Sequence, residues 1–408
     1  MIEKIAESLV LNKTKEFLLN YNLIEGIKPI NYSNNVDMLY VHIPFCRSLC
    51  PFCSFNRQLH DTKLEDLYFS LLEKEAQIYY NNGYKFNTMY IGGGTPTVNF
   101  DHLISFIEFI KDIYPIREIS IESTYRELDE DKIDTLYKLG VNRISIGIQT
   151  FDKNLSKNIG RAWQNKEDAL EIIKIANEKI KTLNIDLIFN FPSQTFEQFS
   201  TDLDILLENK VKQITAYPLM PSIYSQLFKN IDRKRERQFY NILIEKMYAY
   251  KYIPSTPWCF SRNNIELIDE YITKFDYYIG IGTSSISYIN ENFYINTFSI
   301  EKYARLINNN KLPAIMKKSI PIKSSMELFL LNKLFALGFK KDDFIRKYNK
   351  DVNELNYILY PLKLLGYVKD DKDRIILNKK AFYLLSSSMR AFLSVLDTLR
   401  ERFRKMQY

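Results

Sequence analysis

The sequence predicts an α/β fold, a partial (β/α)6 barrel followed by an α-rich C-terminal domain of winged-helix type. Three observations predict it. Six short β-rich runs are separated by amphipathic helical stretches, a cysteine loop directly follows the first run, and the alternation stops after about residue 225. Strands alternating with single helices build a parallel sheet through right-handed crossovers, and such sheets carry their chemistry at the strand C-terminal ends.

The β-rich runs are Met38–Ile43, Thr88–Ile91, Glu118–Glu122, Asn142–Ile148, Ile185–Phe189 and Gln213–Tyr217. Between the first two, Leu64–Tyr80 places Leu64, Leu67, Tyr68, Leu71 and Leu72 at the three-and-four spacing of a buried helical stripe. Similar stripes occur in His102–Ile113, Lys132–Leu139, Lys166–Ile180 and Phe196–Leu207, and Gly140 stands where a helix C-cap glycine belongs. Farther on, the pattern predicts a helix over Arg235–Tyr250, an aromatic and Gly/Ser-rich stretch over Trp258–Asn296, and helices with a short hairpin near Tyr367–Leu377. The expected division is a helical extension over 1–36, the core barrel over 37–225, an extension completing the active site over 226–305, and the α-rich domain over 306–408.

Composition bounds the function. Hydrophobic residues make up 46% and charged residues 26%, the ordinary balance of a soluble globular protein. No apolar run approaches the 18 residues of a membrane span, and the first twenty residues carry acids and lack a signal-peptide core. The expected compartment is the cytoplasm. The net charge of +7 favours acidic partners only weakly. Basic residues gather at Arg390, Arg400, Arg402, Arg404 and Lys405, read either as a solvated helix face or as peripheral contact with an anionic membrane surface. They lack the dense clustering and aromatic interleaving of a nucleic-acid surface, so no such partner is expected.

Of four cysteines, three fall in Cys46-Arg-Ser-Leu-Cys50-Pro-Phe-Cys53. Clustering of this kind indicates metal rather than a disulfide scaffold. Three thiolates at this spacing can hold three irons of a cubane and leave the fourth open. Tetrahedral zinc is the alternative, with His42 or His60 as a fourth ligand. Next comes Gly92-Gly93-Gly94-Thr95-Pro96-Thr97 after the second run, where consecutive glycines let backbone N–H and C=O groups approach a ligand. Glu122 ends the third run, either as a ligand-binding carboxylate or as a solvated strand-end acid. Asp186 lies inside an apolar run and needs a partner, because an unpaired buried acid is costly.

The run Tyr40-Val-His-Ile-Pro-Phe-Cys46, with this cysteine spacing, resembles the radical S-adenosylmethionine (SAM) superfamily, in the branch of oxygen-independent coproporphyrinogen III oxidases. The resemblance covers roughly residues 38–300. It implies a radical SAM barrel, a [4Fe–4S] cluster on Cys46, Cys50 and Cys53, and cleavage of SAM to a 5′-deoxyadenosyl radical. It also implies an electron donor such as flavodoxin or ferredoxin. Tyr40, Phe52, Gly93, Gly94, Thr95 and Glu122 match positions around the first SAM, with Ile286 near its adenine; Tyr40 and Phe52 are otherwise core aromatics. Gln149, Arg161, Asp186 and Met220 match contacts to a second SAM, and Arg161 can face a carboxylate.

Departures bear on the activity. The longer shielding N-terminal segment of the oxidases is not expected in residues 1–36. The His-Asn-x-x-Tyr-Trp motif of haem-chaperone relatives is missing, and no histidine follows His102. Glu-x-Asn-Pro reads Glu122-Ser-Thr-Tyr125, and Arg-x-His reads Arg161-Ala-Trp163. Thr256-Pro-Trp-Cys-Phe-Ser-Arg262 looks like a segment of methylating members. Trp258 and Phe260 either stack on a flat substrate or fill the core, and Cys259 is either an inert buried thiol or a reactive one. The resulting expectation is a class C radical SAM methyltransferase using two SAM molecules on an sp² carbon of a planar aromatic substrate, menaquinone in the first instance. The alternatives are a tetrapyrrole enzyme, opening haem or decarboxylating coproporphyrinogen III, and a non-catalytic haem-trafficking protein. The 29 tyrosines and 27 phenylalanines accord with a flat substrate, quinone or tetrapyrrole.

Overall fold

The computed structural model describes residues 2–28, 36–220, 232–263 and 271–406. The six expected runs form strands Met38–Ile43, Thr88–Gly93, Glu118–Ser123, Arg143–Gln149, Thr182–Phe189 and Gln213–Pro218. They pair in chain order, all parallel. All six residues of the first strand are buried, because a parallel sheet is covered on both faces and its strands are apolar throughout. Helices Thr62–Asn81, Phe100–Ile113, Glu130–Lys138, Lys166–Lys179 and Phe196–Glu208 fill the intervals. In the first of these Tyr68, Phe69, Leu71 and Leu72 are buried, whereas Leu67 lies outside the stripe and is exposed. Gly140 follows the third helix at φ +85°, the left-handed geometry that a helix stop requires.

The stretch over Trp258–Asn296 differs from expectation by containing strands. Tyr278–Ile281 adds a seventh parallel strand on the free edge of the first. An antiparallel meander of Ile286–Ile289, Asn292–Asn296 and Ala314–Ser319 follows. Glycine marks close approach here: a Cβ at Gly280 would stand 2.5 Å from the Ile286 carbonyl oxygen. On the opposite edge, Cys259–Ser261 pairs antiparallel with Gln213–Pro218. The main sheet thus runs to Ser319, beyond the division expected near residue 305.

Helices Ile322–Phe335, Lys341–Tyr348 and Asn356–Leu364 then surround a three-stranded antiparallel sheet of Gly338–Lys340, Val368–Asp370 and Arg374–Leu377, the wing of a winged-helix arrangement. Helix Phe382–Lys405 returns across the barrel and packs along the N-terminal helix Ile2–Leu18. Arg390, 2% exposed, joins them: it lies 3.1 Å from Glu7 and 3.3 Å from Glu236 of helix Arg233–Ala249. This corrects the reading of the basic cluster as a solvated or membrane-facing stripe. Arg400 pairs with Asp397 at 2.7 Å and Arg404 donates to backbone carbonyls of Ser54 and Phe55. Only Arg402 and Lys405 of the five are exposed, and Lys405 pairs with Glu401. Among the described residues no helix is long and apolar enough to cross a membrane.

Candidate active site

The strand C-terminal ends and the loops after them surround one cavity of about 380 Å³. All fourteen candidate positions line it: Cys46, Cys50 and Cys53, and Tyr40, Phe52, Gly93, Gly94, Thr95, Glu122, Gln149, Arg161, Asp186, Met220 and Ile286. Most lie in the C-terminal halves of the parallel strands or in the loops beyond them, whereas Ile286 opens the antiparallel meander.

The cysteine loop is closed at its base where Phe45–Cys46 pairs with Gln58–Leu59. Thr95 Oγ1 donates to Cys46 Sγ at 3.6 Å and Arg161 Nε to Cys50 Sγ at 3.4 Å. Burial pushes the Cys46 thiol up to about 12 and the Cys53 thiol upward as well. Burial therefore favours the thiol form of Cys46 and Cys53, and a bound cationic centre would supply the charge that favours thiolate. Gly94 lets the glycine strip pack tightly on the cysteine loop: a Cβ there would lie 2.6 Å from the Phe45 carbonyl oxygen and 3.0 Å from Cys46 Sγ.

The zinc alternative loses its histidines. His42 Nε2 contacts the Asn56 carbonyl at 2.9 Å and its Nδ1 the Tyr40 hydroxyl at 3.0 Å, while burial pushes its pKa down to about 4. His60 Nδ1 lies 2.6 Å from Glu65. Among the described residues no three His, Cys, Asp or Glu side chains converge as a single ion requires. A cubane holds its three cysteines on separate irons.

Glu122 accepts from the Tyr90 hydroxyl at 2.9 Å and from the Gly93 N–H at 3.0 Å, which fixes its carboxylate beside the glycine strip. Asp186 has the partners its burial demands: Ser145 Oγ at 2.9 Å and Asn184 Nδ2 at 2.8 Å, with Asn184 held in turn by Thr215. Gln149 reaches the cavity through a bulge. The register between the fourth and fifth strands shifts at Gly147/Gln149, and Gln149 takes φ +71°, the kind of irregularity that re-aims a side chain. Its Oε1 is buried without a hydrogen-bond partner, a vacancy that a ligand donor would fill. Arg161 donates to the Gly147 carbonyl at 2.6 Å and stacks over Phe52 and Trp163, each ring near 5.5 Å from its guanidinium carbon. The two departures from the family pattern meet here, with Tyr125 and Trp163 ring centroids 5.8 Å apart.

Trp258, Phe260 and Cys259 do not reach the cavity. All three are fully buried. Trp258 Nε1 donates to Ser386 Oγ at 2.7 Å and its ring packs against Phe335 and Tyr217. The core reading therefore replaces the stacking one. Conversely, the cavity includes residues that the sequence did not mark: Tyr271 stacked on Tyr40 at 5.4 Å, Lys333 and Lys347, and Phe392 and Leu396 of the C-terminal helix. No local pattern announces them, because they arrive from segments that fold back over the barrel.

The Radical SAM superfamily model matches residues 40–206, the span that carries the cysteine loop and the glycine strip. Residues 40–206 therefore carry a radical SAM domain. The chain is similar to curated heme chaperones and oxygen-independent coproporphyrinogen III oxidases. It is 28% identical over 384 residues to the heme chaperone HemW of Lactococcus lactis, covering 87% of this chain and 96% of that protein. It is 27% identical over 412 residues to the oxygen-independent coproporphyrinogen III oxidase of Escherichia coli, covering 91% and 87%. The solved structure of that E. coli oxidase aligns with a TM-score of 0.74 at 22% identity, over 88% of this chain and 91% of the other, so the two share a fold. A radical SAM domain implies a [4Fe–4S] cluster and SAM, and the three cysteines lining the cavity and the open Gln149 oxygen fit such a load.

Proposed function

We propose that this radical SAM protein is an enzyme acting on a planar tetrapyrrole, with two SAM molecules seated along the strand ends. One observation carries the reading: the fourteen positions matched to cluster and SAM line the same cavity as an aromatic wall of Tyr271, Tyr278, Tyr288 and Phe293 that belongs to none of them. A flat substrate is thereby offered a wall beside the place where SAM would lie. Relatives named for heme and coproporphyrinogen favour a tetrapyrrole over the quinone first expected, and methylation of menaquinone finds no support among them.

When bound on Cys46, Cys50 and Cys53, the cluster supplies one-electron cleavage of SAM. The chain's own residues do the positioning. Glu122, held by Tyr90 and Gly93, accepts from the ammonium or ribose of the first SAM. Asp186, fixed by Ser145 and Asn184, accepts from the second, and Gln149 and Arg161 provide its polar ends with partners. Tyr40, Tyr90 and Tyr271 exclude water from one side, as radical chemistry requires.

The second reading, haem carriage without turnover, rests on the relatives named as chaperones. Its difficulty is the ligand. The three histidines are His42, His60 and His102; the first is buried, and the others pair with Glu65 and Asp66. The deciding experiment reconstitutes the cluster anaerobically and supplies SAM, reductant and either haem or coproporphyrinogen III, with all SAM products followed by mass spectrometry. Deoxyadenosine formed in step with tetrapyrrole consumption supports the enzyme, and S-adenosylhomocysteine in addition marks methyl transfer. Stoichiometric haem binding with no SAM cleavage replaces it with the carrier.

A further inference from the structure

We infer that the part of the cavity walled by the C-terminal domain is a carboxylate-binding subsite built on Lys347, taking an acidic arm of the flat substrate. The inference deepens the tetrapyrrole reading and rests on it for the identity of the substrate.

Lys347 sits in a box of rings. Its Nζ lies 4.3 Å from the Tyr277 centroid, 5.5 Å from those of Tyr288 and Tyr348, and 5.9 Å from that of Phe329. Its one hydrogen-bond acceptor is the Asp276 backbone carbonyl at 3.3 Å, and among the described residues no carboxylate lies within 4.0 Å. The neighbouring acids are already engaged. The Asp276 carboxylate pairs with Lys333 at 3.1 Å, and Glu291 accepts from the Tyr277 hydroxyl at 2.7 Å. Burial lowers the Lys347 pKa even though the Asp276 and Glu291 carboxylates pull it upward.

A second observation points the same way. Asn332 lines the cavity beside Lys333, and its Oδ1 is buried with no hydrogen-bond partner. Turned over, that amide presents an N–H donor at the same place. An ammonium and an amide donor facing an apolar cavity are the components of a carboxylate site, since charge-assisted hydrogen bonds repay the burial of both partners. A neutral ring substrate would leave Lys347 as it stands, with a single carbonyl acceptor. A tetrapyrrole carries its acids on flexible arms, so its macrocycle can face the aromatic wall while one arm reaches the lysine.

The test measures binding of coproporphyrin III, of its tetramethyl ester and of 2-naphthoate to the cluster-loaded full chain at pH 7 by fluorescence titration. The same titrations are run on Lys347→Met and Lys347→Arg. The wild type is expected to prefer the acid porphyrin to its ester by about ten- to a hundredfold, the span of a charge-assisted hydrogen bond. Lys347→Met should bind the acid no better than the ester, and Lys347→Arg should recover most of the difference. Equal binding of acid and ester by the unaltered chain overturns the subsite without reference to any variant, and leaves the tetrapyrrole reading intact. If neither porphyrin binds but 2-naphthoate does, in a manner lost with Lys347→Met, the tetrapyrrole reading falls and the subsite stands. Failure of all three ligands to bind overturns both.

Discussion

Gly94→Ala is a one-carbon change with a calculable consequence. The glycine lacks a left-handed φ, so alanine meets no conformational penalty there and the effect isolates close packing. The new Cβ would stand 2.6 Å from the Phe45 carbonyl oxygen, 2.9 Å from the Pro44 carbonyl carbon and 3.0 Å from Cys46 Sγ. Two of the three are backbone, so no rotamer change relieves them, and the strand leading into the cysteine loop has to retreat by several tenths of an ångström. Overpacking of this kind costs about 1–3 kcal/mol. If a chain of this size unfolds in one step, that lowers the melting temperature by only about 1–4 °C. The larger effect falls on the cluster, whose ligand Cys46 moves with the loop. Iron and sulfide per chain after anaerobic reconstitution are expected to drop well below the wild-type value, with the far-ultraviolet spectrum unchanged. A variant that takes up a full complement of iron and melts with the wild type would refute the tight packing of Gly94 on the cysteine loop.

Trp258→Phe should cost about 1–3 kcal/mol through the lost bond to Ser386 and the void left in the core, while porphyrin affinity stays within about twofold because the ring does not face the cavity. Arg390→Met, read by denaturant unfolding, is expected to destabilise by about 3–5 kcal/mol, as it leaves the buried Glu236 without its cation. Glu75→Gln should alter the pH dependence of stability. Burial raises this carboxyl from 4.5 to about 7, so the folded chain holds the proton more tightly than the unfolded one. Its contribution is complete below pH 4.5 and is lost as pH rises to about 7, roughly 3 kcal/mol at most. Asp202, also raised to about 7 by burial, slopes the same way, so the substitution is expected to remove about half of the acid-side gain. An unchanged profile would contradict the burial of Glu75.

The barrel was legible because its signal is local. Six apolar runs and the helices between them are each set by their own periodicity, and strand ends of a parallel sheet share one side whatever the loops do. The cysteine loop and the glycine strip were legible for the same reason, each being contiguous. Legibility failed where contacts are long-range. Trp258 carries no local mark distinguishing a stacking ring from a core one; Ser386, distant in sequence, decides it. Tyr278–Ile281 was obscured because Gly280 and Gly282 look like a turn, when their role is to admit neighbouring backbone. The basic C-terminal cluster misled because charge counts do not reveal Glu7 and Glu236 waiting to receive Arg390. Asp186 needed a partner, but only the fold could name Ser145 and Asn184.

The grip of Arg404 on the carbonyls of Ser54 and Phe55 spans some 350 residues of chain. On a ribosome, the loop that bears the cysteines is therefore made long before the helix that steadies it. Without that helix the three sulfurs stand at the rim of a bowl with one side missing, since Phe392, Leu396 and Arg400 form part of its wall. Docking of the last long helix then shuts that side. The order in which the polypeptide emerges thus allows loading first and enclosure second, and a chain stalled before this helix would keep a cluster site exposed to oxygen.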